Sequence, residues 1–321
     1  MTTFNYKGEP IIPTRGMEDA LTKIISALEV DYRGIGFHSL TRFGKSTLAQ
    51  FICANTEWTE CKYVAKQANL RVLGPGESAF LDWFISQLGS QVISHQAADR
   101  KIERIVNTVD LMLRAAGGGS LFFIADDANL LEQAAFQHFI TIDNALEKKG
   151  ISLFVIFLFQ DNHTSSRREE INRTTVTPQV RGRFLTRYHR LHGIRGALDV
   201  ETFLERFEDE VEASAGAGVT LPRSLAPELY DGEFRLRHFS EQIWNAGCSC
   251  RAAAGHSSQD EWPLKAMRLI AYYLATRVIC KSGFKEVTSS DIEMSVAFSD
   301  LAAFDGESGA LTFTADGGIN G

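Results

Sequence analysis

The chain has 321 residues, 44% hydrophobic and 23% charged, with a formal net charge of −7, a composition usual for a globular protein of about two domains. No apolar run reaches the roughly 18–20 residues that cross a bilayer, and MTTFNYKGEP at the start is no secretion signal. Five scattered cysteines, with Cys248-x-Cys250 lacking a partner pair at metal-ligand spacing, exclude a zinc framework and fit a reduced, cytosolic protein.

In chain order, residues 19–28 read as an amphipathic helix and 33–38 as a strand. The segment SLTRFGKS (39–46) follows, then a helix to about 54 and a strand at 60–65. Gly74-Pro75-Gly76 breaks the chain before helices at 78–88 and 100–115. Two continuous apolar runs, LFFIA (121–125) and SLFVIFLF (152–159), flank a helix at 130–148. Neither alternates with period two, as expected of parallel strands buried on both faces. A last strand is expected at 184–191. The α/β pattern predicts a three-layer parallel sheet.

After Gly196 the strand signals fade, and helices are predicted at 200–213, 234–246, 262–281 and 289–303. Thr288-Ser-Ser-Asp291 supplies N-cap residues for the last of them. Residues 214–227 read as a linker. The expected division is an α/β core at 1–195, an all-helical lid at 196–304 and a flexible tail at 305–321. Charge divides similarly: residues 1–195 carry 23 Lys/Arg against 20 Asp/Glu, and residues 196–321 carry 10 against 20. Within the first part, residues 167–195 hold eight arginines and two acids, a basic stretch able to approach DNA.

The central motif is Ser39-Leu40-Thr41-Arg42-Phe43-Gly44-Lys45-Ser46-Thr47, between a predicted strand and helix. In a phosphate-binding loop, backbone N–H groups and a helix N-terminus surround the phosphates, the lysine reaches the β/γ oxygens, and the Ser/Thr hydroxyl holds Mg²⁺. Lys45 and Ser46 take those places, and Ser39 replaces the first glycine, where a side chain is expected to strain the backbone by about 1 kcal/mol. About 80 residues on, the strand ends in Asp126-Asp127. Asp126 suits the Mg²⁺ shell. Asp127 either orients the attacking water, one methylene shorter than a glutamate, or caps a helix. Gln160-Asp161-Asn162 ends the next strand, where Gln160 either reaches the γ-phosphate or forms part of a turn. Arg181-Gly-Arg183-Phe184 and Gly232-Glu-Phe-Arg235 complete the set; each arginine is otherwise a solvated side chain.

In this order the features resemble the AAA+ superfamily, over about residues 10–300: a Walker A loop, a Walker B strand, sensor 1, an arginine-finger box and sensor 2. The resemblance implies a three-layer P-loop sheet domain with a smaller helical lid, ATP and Mg²⁺ as ligands, and slow ATP hydrolysis. It implies roles for Gln160 as sensor 1, Arg183 as a finger reaching a neighbour's ATP, and Arg235 as sensor 2. The compact module with a loose tail looks like the TnsC/TniB transposition regulators. That family implies a ring or filament on double-stranded DNA, linking a target-selecting protein to a transposase. Lys101 and Arg104, one turn apart, either contact DNA phosphates or form a solvated helix face. A signalling or defence NTPase that ignores DNA, and a replication initiator or helicase loader, are the alternatives.

Overall fold

The structure, a computed structural model, describes residues 3–4, 9–70, 74, 76–161, 176–256 and 261–306. Strands β1 (Thr3–Phe4) and β2 (Pro10–Ile11) pair antiparallel ahead of α1 (Arg15–Glu29). Then come β3 (Gly34–Ser39), α2 (Lys45–Ala54), β4 (Tyr63–Asn69), α3 (Glu77–Gln87) and α4 (Ala98–Ala115). They are followed by β5 (Ser120–Asp126), α5 (Gln133–Glu147), β6 (Leu153–Gln160), α6 (Pro178–Phe184) and β7 (Tyr188–Arg190). The last five strands form one parallel sheet in the order β4-β5-β6-β3-β7.

The apolar runs lack alternation because both faces of the sheet are covered. Leu121, Phe123 and Ala125 of β5, with Leu153, Val155, Phe157 and Phe159 of β6, share a core with α3, α4 and α5. Phe123 stacks on Phe84 at 4.3 Å, and Phe157 meets Phe139 edge-on at 5.4 Å. On the opposite face Phe122 stacks on Tyr63 at 4.3 Å, and the Tyr63 hydroxyl donates to the Asn55 carbonyl just past α2. The result is the expected three-layer α/β sheet.

The helical part comprises α7 (Ala197–Glu210), α8 (Leu221–Leu225), α9 (Pro227–Tyr230), a 3₁₀ turn (Leu236–Phe239) and α10 (Ser240–Ala253). It continues with α11 (Leu264–Tyr273), which runs on as a π-helix through Leu274–Ile279, then α12 (Ser289–Phe298) and α13 (Leu301–Gly306). Its core gathers Phe203, Leu236, Trp262, Met267 and Ile270. Buried Glu208 holds the 3₁₀ turn by accepting from Leu236 N (2.6 Å), Arg237 N (3.3 Å) and the Tyr230 hydroxyl (2.8 Å). Thr288 and Asp291 form the predicted cap of α12, as a complete capping box.

By internal contacts the described residues fall into two compact units. One contains Met17–Thr41 and Lys45–Leu191; the other contains Met1–Gly16, Arg42–Gly44 and His192–Gly321. Four elements differ from expectation. The segment before β7 is helical, because Pro178 sits in the first turn and the Thr177 hydroxyl accepts from Val180 N; Phe184 therefore ends a helix, and β7 keeps three residues. The helix expected at 234–246 begins as a 3₁₀ turn and becomes α-helical only from Ser240. The linker at 214–227 contains α8. Residues 305–306 end α13, and the rest of the expected flexible tail, 307–321, lies outside the described residues, as do Pro75, Asn162 and the arginines at 167, 168 and 173.

Candidate nucleotide site

Parallel strands bring their C-terminal ends to one edge, the usual place for ligands in open α/β sheets. Ser39 pairs in register with Gln160, and Asn69 with Asp126. The segment between β3 and α2 is thus a loop that leaves a sheet edge and enters a helix at Lys45. Left-handed backbone falls at Arg42 (φ 69°) and Gly44 (φ 103°). The strain expected at Ser39 is absent: Ser39 is the last residue of β3, an extended conformation any side chain accepts.

The Lys45 ammonium donates to the carbonyls of Ser39 (2.9 Å) and Leu40 (2.8 Å) and to Ser39 Oγ (3.3 Å). Burial lowers its pKa from 10.5 to about 8, against the raising influence of Asp126, Asp127 and Asp161. Ser46 is exposed in the first turn of α2, with Thr47 half-buried beside it. Phe43 is buried against Gly193, where any β-carbon would come within 2.8 Å of its ring. The Phe43 side chain is therefore committed to that contact.

Asp126 is buried at the end of β5, and both its oxygens are oriented: Oδ1 accepts from Asp127 N (3.1 Å) and Oδ2 from Gln67 Nε2 (3.0 Å). Asp127 is exposed, left-handed (φ 58°), and starts a 3₁₀ turn (Ala128–Leu130) without a side-chain capping bond. Its carboxyl is raised above the usual aspartate range by desolvation and then by the Asp126 charge. Gln160 donates to the Thr41 hydroxyl at 2.7 Å, tying the end of β6 to the loop, and its own N–H reaches Asn129 Oδ1 at 3.4 Å. Asp161 accepts from His38 Nδ1 at 2.6 Å, and its N–H donates to the Ser39 carbonyl. Ser46 and Asp126 are a hydroxyl and a carboxylate suited to Mg²⁺, a hard cation that keeps waters and phosphate oxygens as its other ligands. Among the described residues no group of three His, Cys, Asp or Glu forms a separate metal site.

Sequence reasoning missed Gln67, Asn129 and the His38–Asp161 pair, all polar groups at strand ends or the turn beyond. The position of Gln67 two residues before the end of β4 was the available signal.

Arg183 lies at the other end of the sheet. Phe184 packs on Gly34, the first residue of β3, whereas the loop leaves from its last. The Arg183 Nε edge meets Asp143 at 2.6 Å, and the Nη groups reach Asn144 (2.7 Å) and Glu147 (3.3 Å). Arg235 donates to the carbonyls of Gly232 and Phe234 and lies over the Tyr230 ring. Lys101 is a correction. It is 2% exposed and held by Asp82 (2.6 Å) and Ser78 Oγ (2.7 Å), so it cannot touch DNA. Arg104, half-buried on the same helix, is left without the neighbour that suggested it.

No protein-family model matches the chain, and no curated protein matches it. Among solved structures, the Aeropyrum pernix ORC2 protein is 18% identical, covering 82% of this chain and 69% of that one, with a TM-score of 0.40. Domain III of the Thermotoga maritima replication initiation protein DnaA is 13% identical, covering 91% and 94%, with a TM-score of 0.43. The Aeropyrum pernix ORC1 protein in complex with DNA is 11% identical, covering 92% and 85%, with a TM-score of 0.41. With these scores below 0.5, the fold class rests on the sheet and the loop described above. No described helix is long and apolar enough to cross a membrane.

Proposed function

We propose that this chain is an AAA+ ATPase that binds ATP and Mg²⁺ at the loop 39–47 and acts as an oligomeric, DNA-binding regulator of transposition. The observation that carries the nucleotide reading is Lys45, buried at the mouth of α2, beside the strand-end acids Asp126 and Asp127. A phosphate chain along the loop would draw the ammonium from the Ser39 and Leu40 carbonyls, exchanging neutral acceptors for charged ones. Backbone N–H groups of the loop and of α2 would hold the phosphates. Bound Mg²⁺ supplies positive charge to the β- and γ-oxygens; Ser46 and the pre-oriented Asp126 would hold it. Asp127 would orient the attacking water, and Gln160, through Thr41, would register the γ-phosphate. The short reach of Asp127 fits slow turnover.

Assembly is proposed to be head-to-tail, the heterologous contact that yields rings or helical filaments. Arg183 cannot reach its own loop across the length of β3, so its role would be toward a neighbour's nucleotide. It would act through the Nη edge, since the Nε edge is committed to Asp143. Many subunits would share one duplex through weak phosphate contacts. Arg235 is proposed as the sensor 2 contact, after release from its local carbonyls.

Calorimetry of ATP binding tests the site: Lys45→Ala is expected to abolish it while circular dichroism stays unchanged. Unchanged affinity would remove the assignment. DNA mobility shifts with and without ATP test the rest. Assembly with ATP that ignores duplex DNA at low salt would replace this reading with the signalling NTPase.

A further inference from the structure

Of the three carboxylates that the Lys45 ammonium senses, Asp126, Asp127 and Asp161, only the last has no task in the nucleotide reading. Asp161 lies one residue past Gln160, where its N–H donates to the Ser39 carbonyl at 2.9 Å. Its Oδ2 meets His38 Nδ1 at 2.6 Å, and its Oδ1 is buried with no hydrogen-bond partner among the described residues. The His38 and Asp161 side chains are 14% and 12% exposed. Both belong to the α/β unit, as do Ser39, Lys45 and Asp126.

An enclosed carboxylate beside a phosphate site repels the incoming anion, and solvent screens that repulsion little. Neutral His38 leaves the Asp161 charge whole; protonated His38 offsets it at hydrogen-bond distance. Histidine is the side chain whose charge changes near neutral pH. The other groups around His38 do not do the same. Tyr188 stacks flat on the imidazole at 4.8 Å, and a phenol is uncharged near neutral pH. Arg190, the partner of His38 across β3 and β7, is exposed, where solvent screens its charge. His189 lies against Phe37, which takes the opposite face of β3. Lys45 is turned to the carbonyls of Ser39 and Leu40.

We propose that His38 is a positioning residue of the nucleotide site and acts through Asp161: polyphosphate binding is coupled to protonation of His38, which offsets the Asp161 charge. This rests on the nucleotide-binding reading of the loop. The proton comes from solvent onto Nε2 while Nδ1–H stays donated to Asp161, and no bond to the nucleotide forms. Because the anion favours the charged imidazole, affinity for nucleotide rises as pH falls through the histidine range.

The test uses the full chain, ATP with Mg²⁺ as the probe, and the variants His38→Asn and Asp161→Asn. Asparagine at 38 offers an amide N–H in place of Nδ1 but takes no proton; asparagine at 161 keeps an acceptor and loses the charge. From about pH 7.5 to about pH 6 the parent's ATP dissociation constant should fall several-fold more than that of His38→Asn. The limit is about tenfold if nucleotide moves the imidazole midpoint by about one pH unit. Calorimetry in buffers of different ionisation enthalpy should show the parent taking up more protons per ATP than His38→Asn. At about pH 7.5 Asp161→Asn should bind ATP more tightly than the parent, the opposite of what a purely structural aspartate would give. Should His38→Asn not fold, NMR titration of the His38 imidazole in the parent carries the test, its midpoint moving up with nucleotide. Equal pH profiles and proton uptake in the parent and His38→Asn, an unmoved midpoint, or weaker binding by Asp161→Asn overturns the proposal. If Lys45→Ala abolishes binding in the same assays, the nucleotide reading survives that failure. If the parent binds no ATP, or Lys45→Ala binds it unchanged, the nucleotide reading fails and this proposal with it.

Discussion

The Arg183 guanidinium lies 2.6 Å from the carboxylate of Asp143, a residue with no exposed surface, and so joins α6 to α5. Burial raises the Asp143 carboxyl, and the Arg183 charge opposes that shift. Removing the arginine would leave a buried acid without its counterion. Arg183→Ala is therefore expected to lose about 3–5 kcal/mol of stability in urea unfolding, as for other broken buried pairs. Loss of assembly in that variant alone would not identify a finger. The double variant Arg183→Leu with Asp143→Leu should regain most of the stability, and equal stability of the parent and Arg183→Ala would refute the pairing.

Lys45 predicts a pH dependence. Its folded pKa of about 8 lies below the ordinary lysine value of 10.5 because burial disfavours the charged form. Between those two values the unfolded chain binds more protons, so stability of the nucleotide-free protein rises with pH across that window. Lys45→Met removes this contribution. The variant should be the more stable at pH 7, by about 1–3 kcal/mol, with the difference shrinking toward pH 10.5. Parallel stability profiles for parent and variant would contradict the prediction.

Asp127 can be tested without disturbing its backbone, because asparagine tolerates the left-handed conformation as aspartate does. Asp127→Asn should fold normally, bind ATP and lose steady-state hydrolysis. Asp127→Glu should keep turnover, with a loss of about 1 kcal/mol in stability from the longer side chain at positive φ. Hydrolysis by Asp127→Asn at the parental rate would make the residue a turn former only.

Gln67 is expected to act through Asp126. Gln67→Leu removes the amide that fixes Asp126 Oδ2. The Mg²⁺ concentration for half-maximal ATPase activity should rise by about tenfold, the usual scale for losing a partner of a metal-binding group. A lower maximal rate at unchanged Mg²⁺ dependence would show that the bond serves packing alone.

The parallel strands, the loop between β3 and α2 and the acids that close β5 were legible as structure because each is a local pattern: an unbroken apolar run, a glycine-lysine-serine turn, carboxylates at a strand end. What the sequence hid depends on partners distant along the chain. Lys101 reads as half of a basic helix face until Asp82 and Ser78 on α3 enclose it. Arg183 reads as a free finger until α5 supplies Asp143. The strain assigned to Ser39 belongs to Arg42, since the strand continues one residue further than its composition suggests. Likewise β7 shrinks because a proline start and a threonine cap turn the preceding residues into a helix.

The helical unit is sewn from separate stretches of chain. Ile12 belongs to its core, Arg206 donates to the Pro13 carbonyl, Arg268 pairs with Glu9, and Phe43 fills the space beside Gly193. A fragment beginning at residue 192 would lack all of these and carry an open seam through its core. During synthesis the first stretch would wait, unpaired, until the last had emerged, so this unit cannot close early. Contacts this remote in sequence slow folding, and the helical unit, despite its helices, should be the later of the two to mature.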